Sequence, residues 1–366
     1  MPTATAPAAA SARPLRKLLI ANRGEIALRI ARSAAEMDIP TVAVHSTDDE
    51  ASLHVRRAQE VHALPGRGAR AYLDIDALLE AARACGADAI HPGYGFLSEN
   101  PGFARRVEEA GLIFIGPTPE ALALLGDKTS ARRRASELGV PILPGTTGPT
   151  SLEEAADFLA GLPAGAAMLI KAVAGGGGRG MRIVTAAGEL GNAWQRCRSE
   201  AEAAFGNPEV YVERFLPAAR HLEVQILGDG TGDCIHLGER ECTLQRRHQK
   251  VVEIAPSPTL TQSQRERLLG HALALARSTN YRSLGTFEFL LDVQGNEGEE
   301  LFFIEANPRI QVEHTITEEI FGLDLVQLQF EIARGRSLNQ LGLGPDTGSA
   351  PRGHAIQLRI NMERIT

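Results

Sequence analysis

The feature that most constrains the fold is a pair of strand-like runs in the segment 285–314. The runs TFEFLLDV and LFFIEAN flank the polar sequence QGNEGE, which predicts a β-hairpin. Phenylalanines flank Glu288 with a period of two, as in a strand with one apolar face. If the hairpin is centred between residues 296 and 297, Glu288 lies directly opposite Glu305, with Cβ atoms about 5 Å apart.

Two opposed carboxylates repel each other unless a proton or a cation lies between them. Asn307 follows Glu305 by two residues, so extended chain places both on one face. Carboxylate and amide oxygens suit Mg²⁺ or Mn²⁺ better than Zn²⁺, and Mg²⁺ usually completes its shell with water and substrate phosphates. We therefore predict Glu288, Glu305 and Asn307 as metal ligands. The alternative is an exposed hairpin with scattered acidic residues.

Composition narrows the class of protein. A chain of 366 residues predicts two or three domains, and a net charge of −7 argues against a nucleic-acid binder. No run approaches about 20 apolar residues, so we expect no membrane span. Four widely spaced cysteines indicate reduced thiols and a cytoplasmic protein. Residues 1–14 are rich in Ala, Pro, Thr and Ser, and we expect a disordered tail.

The remaining sequence alternates strand-like and helix-like segments. From residue 15 to residue 126 the alternation predicts a parallel, doubly wound, Rossmann-like sheet, although ANRGEIA does not match the dinucleotide fingerprint GxGxxG. Further on, the strands AMLIKAV (167–173) and MRIV (181–184) enclose the loop AGGGGRG. Because a strand and not a helix follows the glycines, we predict a hairpin lid and not a P-loop.

Several residues near this lid are candidates for nucleotide binding. Glycines let backbone N–H groups approach phosphate oxygens closely, and Lys171 precedes the loop. Lys128 in GDKTSAR is a second phosphate candidate. Met181 and Leu216 could form apolar walls for an adenine. A plain flexible turn and a surface lysine are the alternatives for the first two features.

The sequence HLEVQIL alternates a polar face with an apolar one, after which a hairpin turns at residues 228–233. The polar face, with His221 and Glu223, could meet solvent or a site. The following run RECTLQRRHQKVVEIAP concentrates positive charge around residues 245–250, which suggests an anionic small ligand. A solvated charge run is the alternative.

Taken in order, these segments resemble biotin carboxylase, an ATP-grasp enzyme. The resemblance covers about residues 15–366 and rests above all on HPGYGFLSEN, RRHQKVVE and RIQVEH. It implies a mixed α/β and α+β chain, with a Rossmann-like N-terminal lobe followed by an ATP-grasp fold with a glycine-rich lid. The expected parts are an N-terminal lobe (15–126), a connecting helix (127–142), a lid (143–215) and an incomplete C-terminal catalytic lobe (216–366).

The resemblance also assigns roles to residues. Those implied for ATP are Lys128, Lys171, Gly176, Gly177, Gly178, Met181, Glu213, Leu216, His221, Gln245, His248, Lys250 and Leu290. Those implied for bicarbonate and biotin are Tyr94, Lys250, Arg309, Gln311, Val312, Glu313 and Arg359. Catalysis is assigned to four of these, namely Glu313, Arg309, Arg359 and Lys250. The metal role of Glu288 and Glu305, with Asn307 assisting, agrees with the spacing argument.

In the mechanism that the resemblance implies, Glu313 deprotonates bicarbonate, which attacks the γ-phosphate of ATP. Carboxyphosphate forms and breaks down to CO₂ and phosphate. The phosphate then takes the N1′ proton of biotin, and Arg359 stabilises the enolate. Biotin would arrive on another protein or on a segment outside this sequence, because an AMKM-like biotinylation sequence is absent from the chain.

The implied partners are a biotin carboxyl carrier protein, a carboxyltransferase and a second copy of the chain, with Arg29, Arg32 and Glu36 at dimer-interface positions. We expect the first half-reaction of an acetyl-CoA or propionyl-CoA carboxylase, and hence a role in fatty acid biosynthesis. Another ATP-grasp ligase, such as half of a carbamoyl-phosphate synthase, and a non-catalytic nucleotide-binding fragment stay open as alternatives.

Overall fold

The computed structural model describes residues 13–173, 180–294, 301–344 and 350–360. These residues form three β-sheets with helices packed on them, which confirms the predicted mixed α/β class. In this part of the chain, no helix is long and apolar enough to cross a membrane. The predicted tail lies almost entirely outside the described residues.

The first sheet is parallel and has five strands in the order β3-β2-β1-β4-β5. Its central strands are buried along their whole length, as expected for a parallel sheet covered on both faces. The strands are β1 (Leu18–Ile20), β2 (Thr41–His45), β3 (Glu60–Ala63), β4 (Ala89–His91) and β5 (Ile113–Phe114). The helices of this unit are α1 (Gly24–Glu36), α2 (Leu53–Arg57), α3 (Ile75–Ala84), α4 (Pro101–Glu109) and α5 (Pro119–Gly126).

The second sheet is a small antiparallel unit with the strand order β7-β6-β8. Its elements, with the two helices that precede it, are α6 (Lys128–Glu137), α7 (Leu152–Gly161), β6 (Ala167–Ala172), β7 (Met181–Val184), α8 (Ala187–Phe205) and β8 (Val210–Phe215). Lys171 pairs with Met181 across β6 and β7, which confirms the predicted pairing of these two strands. The predicted glycine loop, with Gly176, Gly177 and Gly178, lies outside the described residues.

The third sheet has six strands in the order β13-β12-β9-β10-β11-β14 and is antiparallel throughout. Its strands are β9 (Ala219–Asp229), β10 (Cys234–Arg246), β11 (Gln249–Ala255), β12 (Arg282–Asp292), β13 (Leu301–Asn307) and β14 (Ala355–Leu358). The associated helices are α9 (Gln262–Arg277), α10 (His314–Phe321) and α11 (Leu325–Ala333). Short 3₁₀ turns occur at Thr47–Asp49, Gly68–Leu73 and Asn339–Leu341.

One face of the six-stranded sheet forms the largest part of its core. Phe287, Phe289 and Phe303 are fully buried there, and α9 packs on them through Leu268 and Leu275. Burying a side chain of this size stabilises the fold by about 1.5–3 kcal/mol. Period-two alternation in β9 and β12 then sends the intervening polar residues to the opposite face, where they form the candidate site.

The structure contains elements that the sequence patterns did not predict, among them β3, α2, α4, α5, α7, β11 and α10. The predicted segment 354–362 forms a strand only over Ala355–Leu358, and residues beyond 360 lie outside the described part. The domain boundaries expected from the sequence remain predictions.

Candidate active site

The predicted opposition of two glutamates is confirmed. Glu288 on β12 pairs directly with Glu305 on β13, and Thr286 pairs with Asn307 in the same register. The register shifts after Glu288, so that Phe289 pairs with Phe303 and Ile304 is the extra residue. Such a bulge bends the strand locally. The predicted turn lies within residues 295–300, outside the described part of the chain.

Glu288 is buried and receives hydrogen bonds at both oxygens. His221 Nε2 lies 2.5 Å from Oε2, whereas Lys250 Nζ lies 3.0 Å from Oε1. Asn307 Nδ2 donates to Oε1 at 2.8 Å and Gln311 Nε2 donates to it at 3.1 Å. Burial favours the neutral form, but Lys250 and His221 outweigh it and hold the pKa of Glu288 well below its ordinary value. Glu288 is therefore a carboxylate at neutral pH.

Lys250 on β11 joins three carboxylates: Glu223 on β9, Glu288 on β12 and Glu313 at the N-cap of α10. Its Nζ lies 2.5 Å from Glu223 Oε2, 3.0 Å from Glu288 Oε1 and 2.8 Å from Glu313 Oε1. Burial alone would lower the pKa of Lys250, but the three carboxylates raise it well above its ordinary value. The ammonium is thus a fixed positive charge between the predicted metal end and the predicted bicarbonate end of the site.

Glu313 and Arg359 meet at the other side of Lys250. Arg359 donates to Glu313 Oε2 at 2.8 Å and to Glu253 Oε1 at 2.5 Å. Burial raises the pKa of Glu313, but Lys250, Arg240 and Arg359 together lower it to about 2. Glu313 is therefore ionised and able to accept a proton, while its cationic partners make it a weak base until they are displaced or shared.

Arg240 is a functional candidate that sequence reasoning missed. It is fully buried, and its guanidinium bonds Glu223, Gln225 Oε1 at 2.8 Å and Thr317 Oγ1 at 2.8 Å. It also reaches Gln311 Oε1 at 3.5 Å. Arg240 pairs with Glu223 because the β9–β10 hairpin shifts register between residues 236 and 239. A regular hairpin would place Glu239 there instead, so the shift brings an arginine and not a second glutamate opposite Glu223.

Arg309 lies in the segment that follows β13. That strand ends at Asn307, directly before Pro308, which has no N–H to donate to a central strand. Arg309 donates to Asn307 Oδ1 at 3.0 Å and to Glu99 Oε1 at 2.5 Å. Glu99 is part of the quoted run HPGYGFLSEN, yet its contact could not be foreseen because it joins segments 210 residues apart.

The other implied substrate residues lie around this segment. Gln311 joins the cluster through Glu288 and Arg240. Val312 is half-buried and its carbonyl accepts from Gln357 Nε2 at 3.4 Å. Tyr94 is half-buried, and its carbonyl accepts from Asn22 Nδ2 at 2.8 Å.

The predicted phosphate lysines have acidic partners. Lys128 Nζ at the start of α6 lies 3.4 Å from Glu305 Oε2. Lys171 Nζ lies 3.0 Å from Glu213 Oε1, and Arg132 Nη1 lies 3.0 Å from Glu213 Oε2. Glu213 is buried, and both of its carboxylate oxygens are paired with these two cations, so its side chain has no oxygen available for a nucleotide. Any contact of residue 213 with an adenine would fall to its backbone.

The remaining nucleotide candidates lie in three different surroundings: a polar row, an apolar cluster and an exposed turn. Gln245 Nε2 lies 3.0 Å from His221 Nδ1, so it continues the polar row from Glu288. Leu216 and Leu290 share one apolar cluster with Leu143, Phe302 and Ile304. His248 is exposed at the turn between β10 and β11, with a φ of 62°. In the described part of the chain, no hydrogen bond or ion pair joins it to the cluster.

The predicted metal ligands offer oxygens that suit a divalent cation. Glu288 and Glu305 supply hard carboxylate oxygens that each face positive or N–H partners, which suits Mg²⁺ with a phosphate ligand. Asn307 presents its Nδ2 to Glu288 and its Oδ1 to Arg309, so its amide would have to turn to ligate a metal at Glu288. The described residues also bring together two groups of three potential ligands: His221, Glu223 and Glu288, and Glu223, Cys242 and Glu313.

Two opposed carboxylates lie on an antiparallel sheet and face lysines from α6 and from the smaller three-stranded sheet. This arrangement, together with the family match below, defines a nucleotide-dependent ligase of the ATP-grasp class. Residues 14–122 match the family described as biotin carboxylase, N-terminal domain. Residues 127–341 match the family described as carbamoyl-phosphate synthase L chain, ATP binding domain.

Solved and curated relatives agree with this class. Pyruvate carboxylase from Aspergillus niger is 52% identical over 354 residues, which are 95% of this chain and 29% of that enzyme. The beta-gamma-ATP complex of Campylobacter jejuni biotin carboxylase has a TM-score of 0.88 at 39% identity, over 94% of this chain and 76% of that chain. The biotin carboxylase domain of Hydrogenobacter thermophilus 2-oxoglutarate carboxylase, a dimer with MgADP, ADP and bicarbonate, has a TM-score of 0.90 at 42% identity. This match covers 95% of this chain and 75% of that chain.

The chain belongs to the biotin carboxylase family of ATP-grasp enzymes, which are ligases that form carbon–nitrogen bonds. It spans 29% of the length of the Aspergillus niger relative. The expectation of an acetyl-CoA or propionyl-CoA carboxylase in fatty acid biosynthesis is not supported, because the relatives from Aspergillus niger and Bacillus subtilis are pyruvate carboxylases.

Proposed function

We propose that this chain uses ATP and bicarbonate to carboxylate biotin carried on another protein or protein segment. The observation that carries the proposal is the position of Lys250, whose ammonium contacts both Glu288 and Glu313. One fixed charge therefore joins the residues proposed for metal and phosphate to the residue proposed for bicarbonate. Phosphoryl transfer depends mainly on such positioning and charge stabilisation.

The proposed roles follow from the contacts. Glu288 and Glu305, with Asn307 after its amide turns, would hold Mg²⁺, which when bound would neutralise charge on the transferring phosphate. Lys128 and Lys171 approach the same region from α6 and β6 and would bind phosphate oxygens.

At the bicarbonate end, Lys250, Arg309 and Gln311 would surround the anion. Glu313 would remove its proton when bicarbonate shares Lys250 and Arg359, because sharing these cations raises the pKa of Glu313 from its low value. The deprotonated oxygen attacks the γ-phosphorus of ATP, ADP leaves, and carboxyphosphate forms.

Arg359 would act in the second step. Carboxyphosphate breaks into CO₂ and phosphate, the phosphate removes the N1′ proton of biotin, and the nitrogen attacks CO₂. A guanidinium remains charged throughout and can donate to the developing enolate oxygen. In the structure Arg359 is held by Glu253 and Glu313. Biotin binding would exchange the second of these contacts for one to the ureido oxygen.

For the final carboxyl acceptor we propose a 2-oxo acid, with pyruvate as the first candidate. The support is the Aspergillus niger pyruvate carboxylase and the 2-oxoglutarate carboxylase of Hydrogenobacter thermophilus. The acceptor would react at a carboxyltransferase that receives carboxybiotin from a carrier, and both are proposed partners. The four free cysteines support our proposal of a cytoplasmic location.

A dimer is proposed from the Hydrogenobacter thermophilus dimer. Arg29 is engaged within the chain by Glu318 at 2.6 Å and Asp324 at 3.1 Å. Arg32 and Glu36 form an exposed ion pair on α1, and we propose that this pair contacts the second copy of the chain.

The test of the proposed function is the substrate dependence of ADP release by the purified protein. We expect release to require bicarbonate and to increase on addition of biotin, with carboxybiotin formed in step. Bicarbonate-dependent ADP release that biotin never accelerates, together with carbamate or carbamoyl phosphate formed from ammonia, would instead support the carbamoyl-phosphate synthase alternative. The family description matched by residues 127–341 makes that second candidate worth the additional assay.

A further inference from the structure

Glu253 on β11 is a buried carboxyl group that the proposed function does not use. The residue is fully buried, and its Oε1 accepts from Arg359 Nε at 2.5 Å. Within the described part of the chain, its Oε2 has no hydrogen-bond partner. Burial outweighs the effect of Arg359 and raises the pKa of Glu253 above its ordinary value. Because a buried carboxyl group with only one oxygen bonded costs free energy, its place beside Arg359 calls for a reason other than stability.

The pairing of β11 with β14 places Glu253 beside Arg359. Arg359 directly follows β14, and its N–H donates to Val251 O at 2.9 Å. The register shift in β11 leaves Val251 as an extra residue, and such a bulge re-aims the neighbouring side chains. Lys250 and Glu253 thereby act on the same group, since Lys250 bonds Glu313 directly and Glu253 reaches it through Arg359.

Arg359 joins two carboxyl groups from different elements. Its Nε donates to Glu253, and its Nη2 donates to Glu313 Oε2 at 2.8 Å. A guanidinium commonly binds one carboxylate through two parallel N–H groups. Because Glu253 occupies the Nε–H, Arg359 gives Glu313 a single bond. The Arg359 side chain is 28% exposed, so part of the guanidinium can still meet a ligand that enters from solvent.

We propose that Glu253 is a positioning residue: it holds the Nε–H of Arg359, which keeps the guanidinium from pairing twice with Glu313 and leaves it available to the ureido oxygen of biotin. This inference rests on the proposed function, because that function assigns biotin to Arg359. Glu253 itself touches no substrate. Without its Oε1, the Nε and Nη2 groups of Arg359 would both turn to Glu313, and this second bond would compete with biotin.

Three substitutions separate the position of Oε1 from the charge of Glu253. Glu253→Gln keeps an oxygen for the Nε–H and removes the charge, whereas Glu253→Asp keeps the charge and withdraws the oxygen by one bond length. Glu253→Leu removes both. We expect KM for biotin to rise about tenfold in Glu253→Asp and Glu253→Leu and to stay within about threefold of the parent in Glu253→Gln. At saturating biotin, turnover of all three should return to within about threefold of the parent, because biotin then draws Arg359 away from Glu313.

The matched control is Glu239→Leu. Glu239 is also a buried carboxylate of this sheet and accepts from an arginine Nε, that of Arg265 at 2.8 Å, but this arginine lies on α9. Its loss should lower the melting temperature and leave KM for biotin within about twofold of the parent. Parent-like KM in all three Glu253 variants would overturn the proposal, and so would a raised KM in Glu253→Gln with a normal one in Glu253→Asp. A fall in turnover at unchanged KM would show a merely structural role and contradict it as well.

Crystal structures without substrate test the position of Arg359 directly. In Glu253→Leu we expect both Nε and Nη2 of Arg359 within hydrogen-bond distance of Glu313, and in Glu253→Gln the single bond of the parent. An Arg359 side chain that keeps its parent position in Glu253→Leu would overturn the proposal. If Glu253→Leu does not fold, Glu253→Asp takes its place in both experiments. If the parent carboxylates no biotin, the proposed function fails, while the crystal structures still decide whether Glu253 holds Arg359.

Discussion

Arg359 donates to Glu313 across 2.8 Å and so connects the edge strand of the six-stranded sheet to the start of α10. The same Glu313 bonds Lys250 through its other oxygen at 2.8 Å. An ionised carboxylate between two fixed cations is an arrangement that a bicarbonate anion can enter by sharing those cations. This relationship is the basis of the predictions on the reacting groups.

Replacing Arg359 by alanine should abolish biotin carboxylation. Removal of one preorganised donor at a developing oxyanion typically lowers turnover about 10²–10³-fold, and here Glu253 also loses its partner. ATP should still bind, because Lys128, Lys171 and Leu216 are untouched. Carboxybiotin formation and equilibrium binding of ATP check the two parts, and Arg352→Ala, at an exposed position in the same segment, is the control. Normal carboxylation in the Arg359→Ala protein would refute its assigned role.

Replacing Lys250 by methionine should destabilise the protein as well as inactivate it. Three carboxylates would share one buried region without their common cation, and removing one member of a buried ion pair costs about 3–5 kcal/mol. Urea unfolding at neutral pH measures the loss.

The Lys250→Met loss should depend on pH in a defined direction. Without the ammonium, burial raises the folded-state pKa of Glu288 and Glu313, so they take up protons at higher pH than in the unfolded chain. The stability deficit should therefore shrink as the pH falls towards about 5. As a control, Arg32→Gln breaks an exposed pair with Glu36 and should change stability by less than about 1 kcal/mol. A deficit that grows on acidification would contradict this electrostatic account.

The buried His91 should make stability depend on pH in the mildly acidic range. Burial lowers its folded-state pKa to about 3, whereas an unfolded histidine titrates near about 6.5. Its contribution is therefore complete above pH ~6.5 and declines by up to about 1.4 kcal/mol per pH unit as the pH falls towards the folded pKa. The free energy of unfolding, measured between about pH 6.5 and 5, should fall with this slope. In the His91→Gln protein the slope should be smaller by the contribution of His91, up to about 1.4 kcal/mol per pH unit. An equal slope in both proteins would count against a neutral, buried His91.

The two opposed glutamates should differ in their dependence on magnesium. Glu305→Gln removes a proposed metal ligand that has Lys128 as its ion-pair partner in the structure, so the Mg²⁺ concentration for half-maximal ATP hydrolysis should rise at least about tenfold. Glu288→Gln should do the same and also lose the charge that pairs with His221 and Lys250. The control is Glu319→Gln, an exposed carboxylate on α10. An unchanged magnesium dependence in both variants would remove the metal assignment.

The sequence predicted the elements in which apolar and polar residues alternate regularly over a short segment. The opposition of Glu288 and Glu305 follows from period-two alternation and one hairpin, and it is confirmed. Arg240 could not be placed in this way, because the register shift in the β9–β10 hairpin changes which residue faces Glu223. Bulges are set by packing in three dimensions, and a regular pattern does not reveal them.

Contacts between distant segments were the second limit. Glu99 binds Arg309 across 210 residues, and Asn22 bonds carbonyls about 70 residues away. Neither residue lies in a pattern that names its partner. The short strand β3 was missed because EVHA carries two polar residues in four and is only half-buried. The polar face of β9 is largely buried, since Glu223 and Gln225 are hardly exposed, whereas its alternation alone left exposure to solvent open.

The most direct test of the central claim is incorporation of labelled bicarbonate into biotin by the Glu313→Gln protein, with Glu319→Gln as its matched control on the same helix. Glutamine keeps the size of residue 313 but cannot accept the bicarbonate proton, so the account predicts loss of carboxybiotin by at least about 10²-fold with ATP binding retained. The control should incorporate label as the parent does. Parent-level carboxylation by Glu313→Gln would contradict the account.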